Sequence, residues 1–285
     1  MDKTHAKTSF NSMPAPPPTH LILVCCHAIY LSGPTHGLDE KEWLLAPFQK
    51  YETPTFIQHV QAGLSLLSAS PSSLLIFSGS KTRPEVNTSE ARSYLDLCVD
   101  NNFWGLTKDE EVRGRIVLEE QALDSFANIL FSLLKFWKRT GTWPQKLTII
   151  SHGFKRERFL EPHIPALRFP LERVEFVGID PGYMIEGNVE YNRERSEEVR
   201  GGLSQKGYGE WKKYLLGEGE VLRRKRAERN PWAVRQLWFE SDEERKRSRV
   251  KSRTLSAGDG LLLEERVLSG ERQPWEEKPE KNRLQ

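Results

Sequence analysis

The chain has 285 residues, a formal net charge of +2, 37% hydrophobic and 29% charged residues. That length means one large domain or two small ones. Charge this close to balance argues against wholesale wrapping of nucleic acid, and the polar excess predicts a normal core plus a solvated segment.

In chain order, residues 1–19 read as a flexible N-terminal arm, because Pro14, Pro16, Pro17 and Pro18 favour an extended, solvated lead-in. The apolar run Leu21–Leu31 is interrupted by His27 and has no small-residue cleavage site after it, so it is not read as a secretory signal. Leu21–Cys26 predicts a first buried strand, and Thr55–Ser68 predicts a helix through its Phe56, Ile57, Val60, Leu64 and Leu67 stripe. Leu74–Phe77 predicts a second strand, stopping at Ser78-Gly79-Ser80, and Ser89–Val99 a second helix. The short run Arg115–Leu118 leads to Glu119-Glu120, and Ser125–Trp137 predicts a helix with Gly141 just past its end. Leu147–Ile150 stops at Ser151-His152-Gly153, and Val174–Ile179 stops at Asp180-Pro181-Gly182. Short, continuously apolar strands alternating with amphipathic helices predict an α/β fold over 20–240, a three-layer α/β/α Rossmann-like sandwich with a mostly parallel sheet.

The C-terminal third differs. Trp211, Tyr214, Leu215, Leu216, Val221 and Leu222 suggest helices packed back on the sandwich, and the basic run Leu222–Arg226 reads as a solvated helix face. Residues 241–285 are densely charged and predict a disordered tail. Its Arg245–Arg253 cluster has the composition of a nuclear address, although a solubilising tail is the preferred reading. Three cysteines, Cys25, Cys26 and Cys98, exclude a disulfide framework and point to a reducing compartment. No apolar run reaches the length of a membrane span. The expected location is cytoplasmic, with no membrane contact.

In open α/β sheets ligands sit outside the carboxyl ends of the strands, which selects a few loops. Ser78, Gly79 and Ser80 form a small-residue turn suited to close backbone approach. Ser151, His152, Lys155 and Arg158 follow the Leu147–Ile150 strand, His27 follows the first, and Glu90, Glu120, Ser125 and Asn128 stand near the others. Hydroxyls, cations and helix starts together suit a phosphate or carboxylate. The sequence lacks GxxxxGK[ST], GxGxxG and GxSxG, so neither a P-loop, an ordinary dinucleotide site nor a nucleophile elbow is expected. The histidines and cysteines have no close metal spacing, so no metal is expected.

Taken in order, these segments resemble the domain of unknown function 218 family, the SanA/YdcF-like proteins. The matching stretches are Phe77-Ser78-Gly79-Ser80 with Glu90-Ala91, then Glu119 or Glu120 with Asp124-Ser125-Phe126-Ala127-Asn128, then Ile149-Ile150-Ser151 leading to Arg158. His27-Ala28-Ile29-Tyr30 and Lys225–Pro231 are similar to the intracellular eukaryotic branch. The resemblance implies a pocket in which Ser78 and Gly79 form the turn and Glu90 opens the next helix. Ser125 stands where the family has threonine, Ser80 replaces a second glycine, and Lys155 falls about where the family has histidine.

The expected function is binding of a small anionic or nucleotide-like ligand, with a nucleotide or adenosyl-type molecule as the cofactor class. Ser78, Gly79, Ser80, Glu90, Ser125, Asn128, Ser151, His152, Lys155 and Arg158 are the candidate ligand contacts. Glu120 and His27 are the acid/base candidates if transferase or hydrolase chemistry occurs. The alternative is a non-catalytic ligand-sensing or protein-interaction module; no nucleic-acid partner is expected.

Overall fold

A computed structural model describes residues 16–203, 208–258 and 260–277. The expected N-terminal arm over 1–15 and the last residues of the expected tail lie outside the described residues. Five strands, β1 (His20–Cys25), β2 (Ser73–Ser78), β3 (Ile116–Glu119), β4 (Lys146–Ser151) and β5 (Val174–Gly178), form one sheet. The sheet order is β3-β2-β1-β4-β5, and all pairings are parallel. Each predicted strand lies within a residue or so of its observed bounds; β1, β2 and β4 are buried on both faces and so apolar almost throughout, whereas the edge strands β3 and β5 are only partly buried.

Three helices complete the sandwich: α1 (Thr53–Ala69), α2 (Glu90–Asp100) and α3 (Ser125–Thr140). Alternation along β1 decides which face each covers. Ile22, Val24 and Cys26 pack with Phe56, Val60 and Leu64 of α1 and Tyr94 and Leu97 of α2. Leu21, Leu23 and Cys25 pack with Phe126, Ile129, Leu130 and Leu133 of α3. The caps explain the sharp starts: Ser89 Oγ accepts from Arg92 N, and Asp124 carboxylate accepts from Ala127 N. Gly141, at φ 74, ends α3 in the left-handed conformation that glycine adopts without strain. The chain covers one face through β1–β3 and the other from β3 to β4, so the order reverses between β1 and β4.

The tail is where the sequence reading fails. Residues 241–258 and 260–277 fold. They form helix α5 (Asp242–Ser248) and the antiparallel hairpin β6 (Ser252–Leu255) with β7 (Glu264–Val267); the preceding helix α4 spans Glu220–Glu228. Trp211, Leu222, Trp238, Phe239, Val250, Val267 and Trp275 join the α3 side of the core. The folded unit therefore runs past residue 240 to at least 277. Density of charge misled because much of the charge is paired within the fold, some of it buried and some at the surface. Arg245 meets Glu265, Arg253 meets Glu218, and Arg249 lies 2.8 Å from Glu277. The run Leu222–Arg226 is likewise not a solvated face throughout, since Leu222 and Arg226 are buried.

Trp275 is 1% exposed, and its indole N–H donates to Leu167 O at 2.7 Å. Trp275→Ala should cost about 3–5 kcal/mol, and ending the chain at residue 240 should cost more by uncovering the α3 face. Urea denaturation followed by tryptophan fluorescence measures both. Unchanged midpoints would mean that the tail is not part of the folded unit.

Candidate functional site

A cavity of about 580 Å³ opens where the sheet order reverses, outside the carboxyl ends of β1 and β4. That is where parallel sheets hold ligands. Its floor is Cys25, Cys26 and His27 at the end of β1 and Ser151 at the end of β4. Lys155 and Arg158, on the turns after β4, line it, as do Ser125 and Asn128 of α3 and Glu90 of α2. Lys225, Arg226 and Arg229, on or just after α4, form a further wall.

Seven of the sequence candidates therefore meet: His27, Glu90, Ser125, Asn128, Ser151, Lys155 and Arg158. Ser78, Gly79 and Ser80 do not line the cavity. Ser78 is fully buried; its hydroxyl donates to the Glu119 carboxylate and accepts from Asn128 Nδ2 at 2.8 Å. Gly79 lets α2 approach, because a Cβ there would fall 2.7 Å from Glu90 Oε2. Ser80 N donates to Ala122 O at 3.0 Å. The turn ties strand ends together instead of cradling an anion. Glu120 also lies outside the cavity, where its Oε1 accepts from Ser89 Oγ at 2.7 Å. The neighbouring Glu119 is the inward one, accepting from the N–H groups of Gln121 and Ala122, and burial pushes its carboxyl up to about 7. His152 is 1% exposed and does not line the cavity. Its ring stacks with Phe154 and sits 4.4 Å from the His27 ring, with Nε2 3.4 Å from Glu52.

The electrostatics of the floor are unusual. Arg158 forms no hydrogen bond or ion pair with a described residue, and its Nε is buried without a partner. The nearest opposing charge by effect is Asp124. That carboxylate is already engaged with Arg226 at 3.0 Å, and although burial raises its pKa, Arg226, the Ala127 N–H and Arg266 together outweigh this and hold it low. Burial lowers Arg158 to about 10 and, with Arg158 beside it, Lys155 to about 8. Lys155 Nζ lies 3.4 Å from His27 Nδ1, and His27 Nε2 lies 3.4 Å from Ser151 Oγ. A charged Lys155 has no lone pair and must donate to Nδ1, which puts the ring proton on Nε2, facing Ser151. In that tautomer His27 donates to Ser151 and does not activate it as a nucleophile. Burial also pushes the Cys25 thiol up to about 12, so it is not a thiolate.

Sequence reading missed Cys25, Cys26 and Asp124 in the cavity wall, and Arg226 and Arg229. The signal for the last two was present, in Lys225–Pro231, but a stretch so far along the chain shows no link to the strand ends before the fold is known. It also missed His59 and His163, both fully buried.

The cavity at the switch point of a 3-2-1-4-5 parallel sheet makes this a Rossmann-like α/β protein. The chain is 33% identical over 205 residues to the uncharacterized protein YOR238W of Saccharomyces cerevisiae, a match that takes in 56% of this chain and 67% of the yeast protein. The chain belongs to the family of that yeast protein. No family model matches the chain, and no solved structure matches it. Among the described residues, no helix is long and apolar enough to cross a membrane.

Burial keeps five histidines neutral: His20 falls to about 4, His163 to about 3, and His27, His59 and His152 fall well below the ordinary value. In the unfolded chain each takes up a proton below about pH 6.5. Their contribution is complete above that value and is lost as pH falls towards the folded values, at about 1.4 kcal/mol per pH unit for each fully neutral ring. Glu119 acts in the opposite sense, its contribution fading as pH rises through about 7, and Glu52 and Glu90, whose carboxyls burial also raises, add to it; together they offset part of the five imidazoles. Urea midpoints should therefore drop steeply between pH 6.5 and 5, and less steeply in His163→Gln. A flat profile would show that the rings are charged in the folded chain.

Proposed function

We propose that the chain is a Rossmann-like protein of the domain of unknown function 218 kind that binds a small anionic ligand, of phosphate-ester or nucleotide-like class, at the carboxyl ends of β1 and β4. One observation carries this reading: Arg158 and Lys155 face the same cavity with no described carboxylate paired to either. Two like charges taken out of water disfavour each other and both lose hydration. An anion between them reverses both penalties. The cavity, at about 580 Å³, falls in the range that holds a ligand of drug or cofactor size. Thr82, Glu90 and Arg229 line the same cavity and offer further polar contacts, with Thr82 Oγ1 donating to Glu90 at 2.6 Å and Arg229 3.8 Å from Glu90. A cytosolic setting is part of the proposal, supported by three buried, unpaired cysteines.

Thermal unfolding of the full chain with inorganic phosphate, pyrophosphate and nucleoside phosphates, against sodium chloride at equal ionic strength, tests the reading. A ligand at 100 times its Kd should stabilise by about 2.7 kcal/mol, a shift of several degrees in Tm. Arg158→Met should abolish that response while raising the Tm of the ligand-free chain, because an unpaired cation is gone. Indifference to every anion would overturn the proposal and favour a non-catalytic interaction module.

A further inference from the structure

Lysines that serve this fold are paired: Lys146 with Glu175 at 2.7 Å, Lys138 with Glu244 at 3.4 Å, and Lys81 with Asn87 at 2.8 Å. Lys155 is different. It lines the cavity, its Nζ has the Phe154 ring at 5.5 Å on one side, and among the described residues its only hydrogen-bond partner is the Nδ1 of His27 at 3.4 Å. Arg158 beside it already supplies a permanent charge for an anion, since a guanidinium stays protonated and an amine need not. A desolvated lysine next to a second cation is the arrangement that turns an ammonium into a nucleophilic amine.

We propose that the Lys155 ε-amine forms an imine with the carbonyl carbon of a small aldehyde or ketone whose anionic group rests against Arg158. This rests on the anion-binding reading above and goes beyond it by naming a covalent step and the carbonyl class of substrate. The Nζ lone pair forms the C–N bond while the C–O π pair moves to oxygen. One amine proton passes through His27 Nδ1 to that oxygen, giving a carbinolamine. The hydroxyl then leaves with the second amine proton as water, and a C=N bond remains. The amine supplies two hydrogens and the carbonyl one oxygen, so the step needs no oxidant or reductant. The relay is continuous in the fold, because His27 Nε2 meets Ser151 Oγ at 3.4 Å and can exchange its proton there.

Pyridoxal 5′-phosphate, an aldehyde carrying a phosphate, is the probe. The full chain is mixed with one equivalent, reduced with borohydride and mapped by peptide mass. The expected result is one adduct, on Lys155, suppressed by excess inorganic phosphate and absent in Lys155→Arg, which keeps the charge. A lysine titrating near 8 exposes about 300-fold more free amine at pH 7 than an ordinary one. The adduct should therefore form at pH 7, where surface lysines stay unlabelled. Melting in phosphate separates the two claims. Phosphate protection with adducts spread over surface lysines and none on Lys155 would overturn the imine and leave the anion site standing. Neither protection nor a Lys155 adduct would overturn both. Protection retained in Lys155→Arg with the adduct lost would support the imine.

Discussion

The buried guanidinium of Arg226 is compensated through all three of its nitrogens, and the fold is arranged around it. Arg226 is 2% exposed, and donates through Nε to Glu264 Oε1 at 2.6 Å, through Nη2 to Gly217 O at 2.7 Å, and through Nη1 to Asp124 at 3.0 Å. Asp124 caps α3, which covers one face of the sheet; Glu264 lies on β7; Arg226 itself forms part of the cavity wall. One side chain thus ties the helix start, the hairpin and the site together. Such a cluster adds little net stability over an apolar equivalent, but breaking it strands a charge in the interior. Its effect is to admit one arrangement of these three parts.

The same requirement explains how far the sequence could be read. Strands β1, β2 and β4 and helices α1–α3 declare themselves, since apolar runs and 3.6-residue stripes report burial locally. Pairing does not. Glu264, Glu265 and Arg266 look like surface residues in the sequence, yet all three are buried: Glu264 and Glu265 meet Arg226 and Arg245 of other elements, and Arg266 meets Glu264. Long-range compensation of charge leaves no periodic mark, so a folded segment passed for a solvated tail.

At the site the pattern is similar. Lys155 and Arg158 could be placed beside the cavity because a turn after a parallel strand has nowhere else to go. Ser78, Gly79 and Ser80 are chemically equal to a cradle and to a strand clamp. Only the hydroxyl contact to Glu119 and the packing of Gly79 against Glu90 decide between them. Glu119 and Glu120 are indistinguishable in composition. The pleat turns one inward and the other outward.

The separation of Arg226 from Glu264, 38 residues along the chain, has a consequence for biosynthesis. At about 5–20 residues per second, the ribosome emits α4 some seconds before Glu264, while Asp124, the other carboxylate on Arg226, is already out. During that interval the sheet can form and Arg226 can meet the α3 cap, but the second carboxylate of the cluster is still missing. The hairpin is therefore the last part to lock, and a ribosome stalled between the two leaves the cavity wall held on one side only.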